Sequence, residues 1–258
     1  MDFDRELLDI DFLVFSSHKT ATQTVCNSLR MSGLKCLHCH SLADETTRLP
    51  PGTFRQYLGA YDAAQSRKLG ILSTFRDPVE RHISSFFQWY GDGVIRKRIV
   101  ADVSETVIAR LGIDQLQSMF IEEVATGRLA GMRESIDELC RELSVSVSDL
   151  AFDPERQCGL TDLGGCRLAL FRFDSLIYGN RLESLLAEAT GRPIVRHDAN
   201  RTEVKWYHDT FTAFKNSLRL PGEVITSMYE PKKHLIDLMY PDGYESLLAH
   251  AHEKYGGR

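Results

Sequence analysis

At 258 residues the chain is long enough to bury one full hydrophobic core. Its composition, 43% hydrophobic and 26% charged, is that of an ordinary globular protein. A formal net charge of −5 speaks against a general nucleic-acid binder, which carries a basic excess, yet leaves room for a local basic pocket that takes a small anion.

The acidic opening MDFDRELLDIDFLVF lacks the basic and apolar regions of a secretory signal. No window approaches the roughly eighteen uninterrupted apolar residues of a membrane span. The expectation is a cytoplasmic protein whose six cysteines (Cys26, Cys36, Cys39, Cys140, Cys158 and Cys166) are reduced thiols. Cys158 and Cys166 flank a glycine-rich turn and are the one pair considered for a disulfide.

In chain order, residues 11–17 (DFLVFSS) are a short apolar run of β-formers, as in a buried parallel strand. From Thr22 to Met31 the spacing turns helical, with Gly33 as the stop. Residues 34–40 (LKCLHCH) alternate as a second strand, residues 54–66 read as a helix after Pro50-Pro51-Gly52, and residues 69–75 (LGILSTF) as a third strand. Asp77-Pro78-Val79-Glu80 then carries a helix-start signature: Asp at the cap, Pro at the first position, Glu at the third. The helix behind it sets Val79, Ile83, Phe86, Phe87 and Tyr90 on one face. This strand–helix rhythm predicts βαβ units and a parallel sheet.

Beyond residue 90 the chain is helix-rich. Leu116, Met119, Phe120 and Val124 form one stripe, ended by Gly127; Ile136, Leu139, Cys140 and Leu143 form another. RLALFRF (167–173) is a late strand, and Leu182, Leu185, Leu186 and Ala189 lie on a helix closed by Gly191. Val204, Tyr207, Phe211, Phe214 and Leu218 recur at helical spacing behind Thr202 as a cap. No repeat or linker divides the chain, so a single α/β domain over 1–258 is expected.

Two segments carry chemistry. Ser16-Ser17-His18-Lys19-Thr20-Ala21-Thr22-Gln23-Thr24 joins the first strand to the first long helix. A turn there aims N–H groups outward where the helix dipole favours negative charge, and Lys19 and three threonine hydroxyls add to it. It is not a Walker A loop, since GxxxxGK[ST] and any glycine are absent. The plain alternative is a polar loop with a surface lysine. In the second segment, Arg76 stands at the carboxyl end of the third strand and Ser84 eight positions later, on the helix side away from Phe86 and Phe87. Arg76 and Ser84 are thus expected to meet on one oxyanion; the plain alternative is a well-capped helix beside a salt-bridged arginine.

Together the two segments resemble the 3′-phosphoadenosine 5′-phosphosulfate (PAPS)-dependent sulfotransferases. Lys19-Thr20-Ala21-Thr22-Gln23-Thr24 is similar to their 5′-phosphosulfate loop, and Arg76 with Ser84 to their 3′-phosphate motif. RDPVERHISSFF is close to the form in glycosaminoglycan 2-O-sulfotransferases. Lys205-Trp206-Tyr207 resembles the KWY signature of a bacterial group described as capsular polysaccharide synthesis proteins. The resemblance covers residues 11–90 and extends over 167–240.

What it implies is a P-loop-like three-layer fold, a central parallel sheet flanked by helices, that moves the sulfuryl group of PAPS to a hydroxyl and releases adenosine 3′,5′-bisphosphate (PAP). Lys19 would bind the bridging and sulfuryl oxygens; Thr20, Ala21, Thr22, Gln23 and Thr24 would supply amides and hydroxyls; Arg76 and Ser84 would hold the 3′-phosphate. The basic stretch Arg196, His197, Arg201 and Lys205 makes Arg201 a further 3′-phosphate candidate, against the reading of a solvated charge cluster. No metal is implied.

The acceptor hydroxyl needs a base, and His40, then His38, end the second strand on one face. Glu45 is a weaker candidate, and either histidine also reads as a satisfied strand-end residue. The Gly-His-x-Ser stretch of the 2-O-sulfotransferases does not occur between residues 41 and 70. Zinc at Cys36, His38, Cys39 and His40 is disfavoured because alternate strand side chains diverge. The acceptor expected is a glycan or a small metabolite. The rival functions are an ATP-dependent kinase on the same cradle and a non-catalytic PAP-binding protein.

Overall fold

The computed structural model describes residues 3–42, 47, 49–50, 52–91, 111–127, 134–199, 205 and 207–257. The chain divides into two compact units, one of residues 1–76 and 133–200, the other of residues 77–132 and 201–258.

The first unit is built on a five-stranded sheet. Its strands are β1 (Phe12–Phe15), β2 (Cys36–Cys39), β3 (Leu69–Phe75), β4 (Cys158–Leu163) and β5 (Cys166–Arg172), in the spatial order β2-β1-β3-β5-β4. β1, β2, β3 and β5 run parallel; β4 pairs antiparallel with β5. The helices of this unit are α1 (Arg5–Leu8), α2 (Thr22–Met31), α3 (Phe54–Gln65), α6 (Ser135–Leu143), α7 (Phe173–Ile177) and α8 (Leu182–Thr190). The α/β class and parallel sheet expected from the strand–helix rhythm are therefore present, with each predicted strand within two or three residues of its expected bounds.

Both faces of the sheet are covered. Val14, Leu72, Ala169 and Phe171 join Val25 and Leu29 of α2, Leu176 of α7 and Leu182, Leu185 and Leu186 of α8 in one cluster. The alternate strand residues Leu13, Phe15, Ile71, Leu168 and Leu170 are just as buried, which is why these strands read as continuous apolar runs. Tyr57 and Tyr61 of α3 bury their rings and donate to the carbonyls of Leu7 and Ile10, at 2.8 and 2.6 Å.

Strand β4 was not legible: CGLTDL is short and half polar, and its place follows from the Gly164-Gly165 hairpin, where Gly164 takes φ +62°. This hairpin also separates the cysteines that flank it. Cys158 faces Phe171 and Cys166 faces Leu163 at opposite ends, and both thiols are free. The disulfide is instead Cys26–Cys36, which corrects the reading of six reduced thiols. Parallel pairing brings the start of β2 beside α2, so the two Cα atoms stand 6.1 Å apart, within disulfide reach.

The second unit contains α4 (Pro78–Gly91), α5 (Ile113–Ala125), α9 (His208–Ser217), α10 (Gly222–Tyr229), α11 (Lys233–Met239) and α12 (Gly243–Tyr255). Asp77 caps α4 as its sequence signature predicts, accepting from the Glu80 N–H at 2.9 Å. Phe86 and Phe87 of α4 meet Phe120 of α5 and Phe214 of α9 in an aromatic cluster with ring centroids 5.1 to 5.9 Å apart. Helix α9 begins at His208, so Lys205 and Tyr207 precede it instead of lying within it, and Tyr207 rests on Phe87. Among the described residues, no helix is long and apolar enough to cross a membrane.

Glu80 is the electrostatic hub of this unit. Its carboxylate accepts from Tyr255 Oη at 2.7 Å and pairs with Lys215 at 2.7 Å and Lys254 at 3.2 Å. Burial alone would raise its pKa, but the Lys215 ammonium and the hydrogen bonds outweigh it and pull the value down to about 2.

Two outcomes follow from these contacts. Protein purified without reductant and then denatured should titrate as four thiols, rising to six after reduction; six from the start would remove the Cys26–Cys36 pair. Because the folded pKa of Glu80 lies below its ordinary 4.5, its contribution is present above pH 4.5 and is lost as pH falls toward 2. The denaturant stability gap between wild type and Glu80→Gln should be roughly 3 kcal/mol near pH 6 and shrink steadily below pH 4.5. A gap independent of pH would refute this account.

Candidate functional site

β1 lies between β2 and β3, while β3 lies between β1 and β5. The chain leaving β1 goes to one side and the chain built on from β3 to the other. The carboxyl ends of β1 and β3 therefore bound a topological switch point, where open α/β sheets form their binding crevices. Both predicted motifs start there: the turn Ser16–Ala21 follows β1, and Arg76 follows β3.

The turn makes a tight reversal with no glycine. Lys19 and Ala21 both adopt left-handed backbone, φ +66° and +63°. Each such residue costs of order 1 kcal/mol or more. Left-handed residues alternating with one of ordinary hand give the backbone pattern of anion-binding concavities. Ala21 then stands at the N-cap of α2, without a side-chain cap, so the dipole end of a ten-residue helix opens directly behind the turn.

Surrounding contacts hold this conformation. Arg76 Nη1 donates to the Lys19 carbonyl at 2.9 Å, and the Arg76 guanidinium stacks 4.2 Å from the Phe173 ring centroid. Thr20 Oγ1 donates back to the Ser17 carbonyl at 2.6 Å. Ser17 Oγ donates to Glu134 at 2.9 Å and accepts from the Ser135 N–H at 3.1 Å. Ser16 Oγ accepts from the Thr74 N–H at 2.8 Å, tying β1 to β3. Lys19 and Arg76, predicted as members of two separate motifs, are thus directly bonded, and Arg76, only 8% exposed, acts on the turn's shape as well as its charge.

The three loop threonines differ. The hydroxyl of Thr20 is committed within the turn, and that of Thr24 exchanges hydrogen bonds with Ala199, to its carbonyl at 3.1 Å and from its N–H at 3.2 Å. Thr22 is 5% exposed and its Oγ1 has no hydrogen-bond partner among the described residues. A buried, unpartnered hydroxyl on the first residue of α2 fits an oxyanion bound at that helix end. Gln23 is exposed beside it.

His40 Nδ1 lies 2.7 Å from the Ser16 carbonyl. A carbonyl only accepts, so this contact puts a proton on Nδ1, and in the neutral ring the lone pair then lies on Nε2. The His40 ring lies against His18, tilted by 36° with centroids 3.7 Å apart, and the His38 ring centroid is 6.1 Å from that of His40. Thus the end of β2 brings His40 to the turn that carries Lys19, with His38 next to His40, while His18, inside that turn, joins them unpredicted. Among the described residues no group of three or more His, Cys, Asp or Glu is arranged to hold a metal ion.

Ser84 is half-buried on α4, in the second unit. Arg201, Glu45 and Trp206 lie outside the described residues. Of the basic stretch, Arg196 pairs with Asp198 at 2.8 Å.

Two further features were missed in sequence. Residues 195–199 run along α2 on a row of hydroxyls: the N–H groups of Val195, His197 and Ala199 donate to Ser32, Ser28 and Thr24 at 2.8, 2.9 and 3.2 Å. Glu134 and Glu138, 4% and 8% exposed, border the apolar stripe of α6. Glutamates four apart beside such a stripe were the only available signal, and it is the signal of an ordinary solvated helix edge.

Compared with protein-family models, with curated proteins and with solved structures, the chain finds no match.

Since Ala21 carries a Cβ at φ +63°, Ala21→Gly should stabilise the protein by about 0.5–1 kcal/mol in urea denaturation. A loss of stability of that size would contradict a left-handed Ala21.

Proposed function

We propose that the chain is a PAPS-dependent sulfotransferase, with a P-loop-like nucleotide cradle on its parallel sheet, that transfers a sulfuryl group to an acceptor hydroxyl. The observation that carries the reading is the Ser16–Ala21 turn, left-handed at Lys19 and Ala21, tied to Arg76 and opening on the end of α2 beside the buried Thr22 hydroxyl. A cation, a backbone concavity and a helix dipole converge there, the combination an anionic phosphosulfate requires. The sequence resemblance of both motifs points to the same nucleotide.

The donor set also fits the chemistry. Sulfuryl transfer is an in-line displacement: the acceptor oxygen bonds to sulfur while the sulfur–oxygen bond to the phosphate breaks and PAP departs. Lys19 and the amides of the turn would meet the charge that grows on the departing phosphate oxygen, so they act more strongly in the transition state than before it. His40, its Nδ1 proton fixed on the Ser16 carbonyl, would take the acceptor's proton at Nε2. His38 stands as the second candidate for that role. Arg76 would add charge at the 3′-phosphate end, and Ser84 enters through its spacing from Arg76 in the sequence, as Arg201 enters through the basic stretch. The acceptor class, a glycan or small-metabolite hydroxyl, and the bacterial polysaccharide setting rest on the resemblance alone. A cytoplasmic location fits the four cysteines outside any disulfide, with Cys26–Cys36 as a buried exception.

The test combines calorimetry with PAP and incubation of the protein with ³⁵S-labelled PAPS and pooled cell extract. Wild type should bind PAP and label an acceptor; Lys19→Ala should abolish labelling with an unchanged melting temperature. His40→Ala should slow labelling by about 10²–10⁴-fold with PAP affinity nearly unchanged. No PAP binding by wild type would overturn the proposal, and binding without labelling would leave a nucleotide-binding protein that does not turn over.

A further inference from the structure

The first turn of α6 touches both halves of the candidate site, and neither contact is explained by the helix itself. Glu134 occupies the N-cap position yet its side chain makes no capping bond. Its Oε2 instead accepts from Ser17, two residues before Lys19, while the neighbouring Ser135 N–H donates to the same hydroxyl. One turn later, Glu138 Oε1 accepts from Ser41 Oγ at 2.9 Å and from the Leu42 N–H at 2.8 Å, the two residues that follow His40. Ser135 Oγ is also within 3.4 Å of Ser73 on β3. Glu134, Ser135 and Glu138 are all more than 90% buried.

Buried carboxylates persist where hydrogen bonds hold them, and each removed acceptor leaves a buried donor unpaired. Here the donors belong to the anion turn in one case and to the exit of β2 in the other. Four residues of helix advance about 6 Å, so the spacing of the two glutamates fixes the spacing of the two loops they hold.

We propose that Glu134 and Glu138 are positioning residues: Glu134 sets the Lys19 turn through Ser17, and Glu138 sets His40 through Ser41 and Leu42. The catalytic meaning of this clamp rests on the sulfotransferase reading; its structural meaning does not. The division of labour is what a general stabilising role would not produce. Loss of Glu134 acts on anion affinity, whereas loss of Glu138 acts on the proton arrangement of the imidazole.

The experiment uses the full chain with Glu134→Ala, Glu138→Ala and the Gln variant of each, since Gln keeps an acceptor oxygen and guards against failure to fold. PAP affinity is measured by calorimetry, the His40 ring nitrogens by ¹⁵N NMR assigned against His40→Gln, and backbone protection by hydrogen exchange. Glu134→Ala should weaken PAP binding about tenfold or more and leave the wild-type signals of the His40 ring nitrogens, with Nδ1 protonated, intact. Glu138→Ala should leave PAP affinity within about twofold and change those signals. Each Gln variant should restore most of the loss. Should both Ala variants move the two readouts together, or neither move either, the clamp is wrong. If wild type binds no PAP, the sulfotransferase reading falls while exchange still decides the clamp. Faster exchange confined to residues 17–21 in the first variant and to residues 40–42 in the second supports it; uniform or absent change rejects it.

Discussion

The turn between β1 and α2 reverses the chain with two side-chain-bearing residues in the left-handed region. A glycine would adopt these angles without penalty, so the conformation persists only because its neighbours over-determine it. Arg76 grips the Lys19 carbonyl, Thr20 closes on Ser17, and Ser17 is held by Glu134 and Ser135. The sheet order supplies these neighbours. With β3 next to β1, Arg76 emerges beside the turn; with β2 on the other flank, His40 reaches Ser16. Strand order thus sets which side chains meet at the turn, and the strained turn sets which carbonyls they meet.

Arg76 shapes the turn as well as bringing a charge to it. A guanidinium presents five donors in a fixed plane, and one of them is spent on the Lys19 carbonyl while the face lies on Phe173. Its position is therefore set by the fold, the condition under which a charged donor would contribute most to holding an anion, because no side-chain ordering would remain to oppose binding. The same logic applies to His40, whose ring is oriented by a main-chain carbonyl and the adjoining His18 imidazole. Arg76 and His40 are thus each oriented by one main-chain carbonyl and one neighbouring ring, in addition to the buried glutamates that hold the flanking loops.

Much of this was legible because it depends on local chemistry. Apolar runs of β-formers fixed β1, β3 and β5, and Asp77-Pro78 marked the start of α4. The Lys19 turn and Arg76 were found as separate motifs, each ambiguous alone. Their bond could not be read, since it depends on β1 and β3 being neighbours, a fact of topology and not of either segment. Strand β4 was invisible because an edge strand with one polar face has little periodic signal in six residues. The Cys26–Cys36 pair was missed for the opposite reason: the redox prior concerns compartments, whereas the pairing follows from α2 lying against the start of β2. Glu134 and Glu138 look like solvated helix-edge residues until the loops they hold are in place.

Helix α2 shows how these separate features combine. One side carries Cys26, bonded to Cys36 at the start of β2, and Val25 and Leu29 in the sheet cluster. Another carries Thr24, Ser28 and Ser32, one turn apart, facing alternate N–H groups of residues 195–199. The match is metric: four residues of α-helix rise about 6 Å and two residues of extended chain span about 6.6 Å, so one hydroxyl meets one N–H at every step. Serine and threonine inside a helix usually weaken it, because their hydroxyls compete for the backbone. Here they stand in for the partner strand that the extended segment lacks, and in doing so fix the helix in rotation and along its axis. A helix held on both sides cannot slide, and its amino end, with the buried hydroxyl of Thr22, stays where the Lys19 turn presents it.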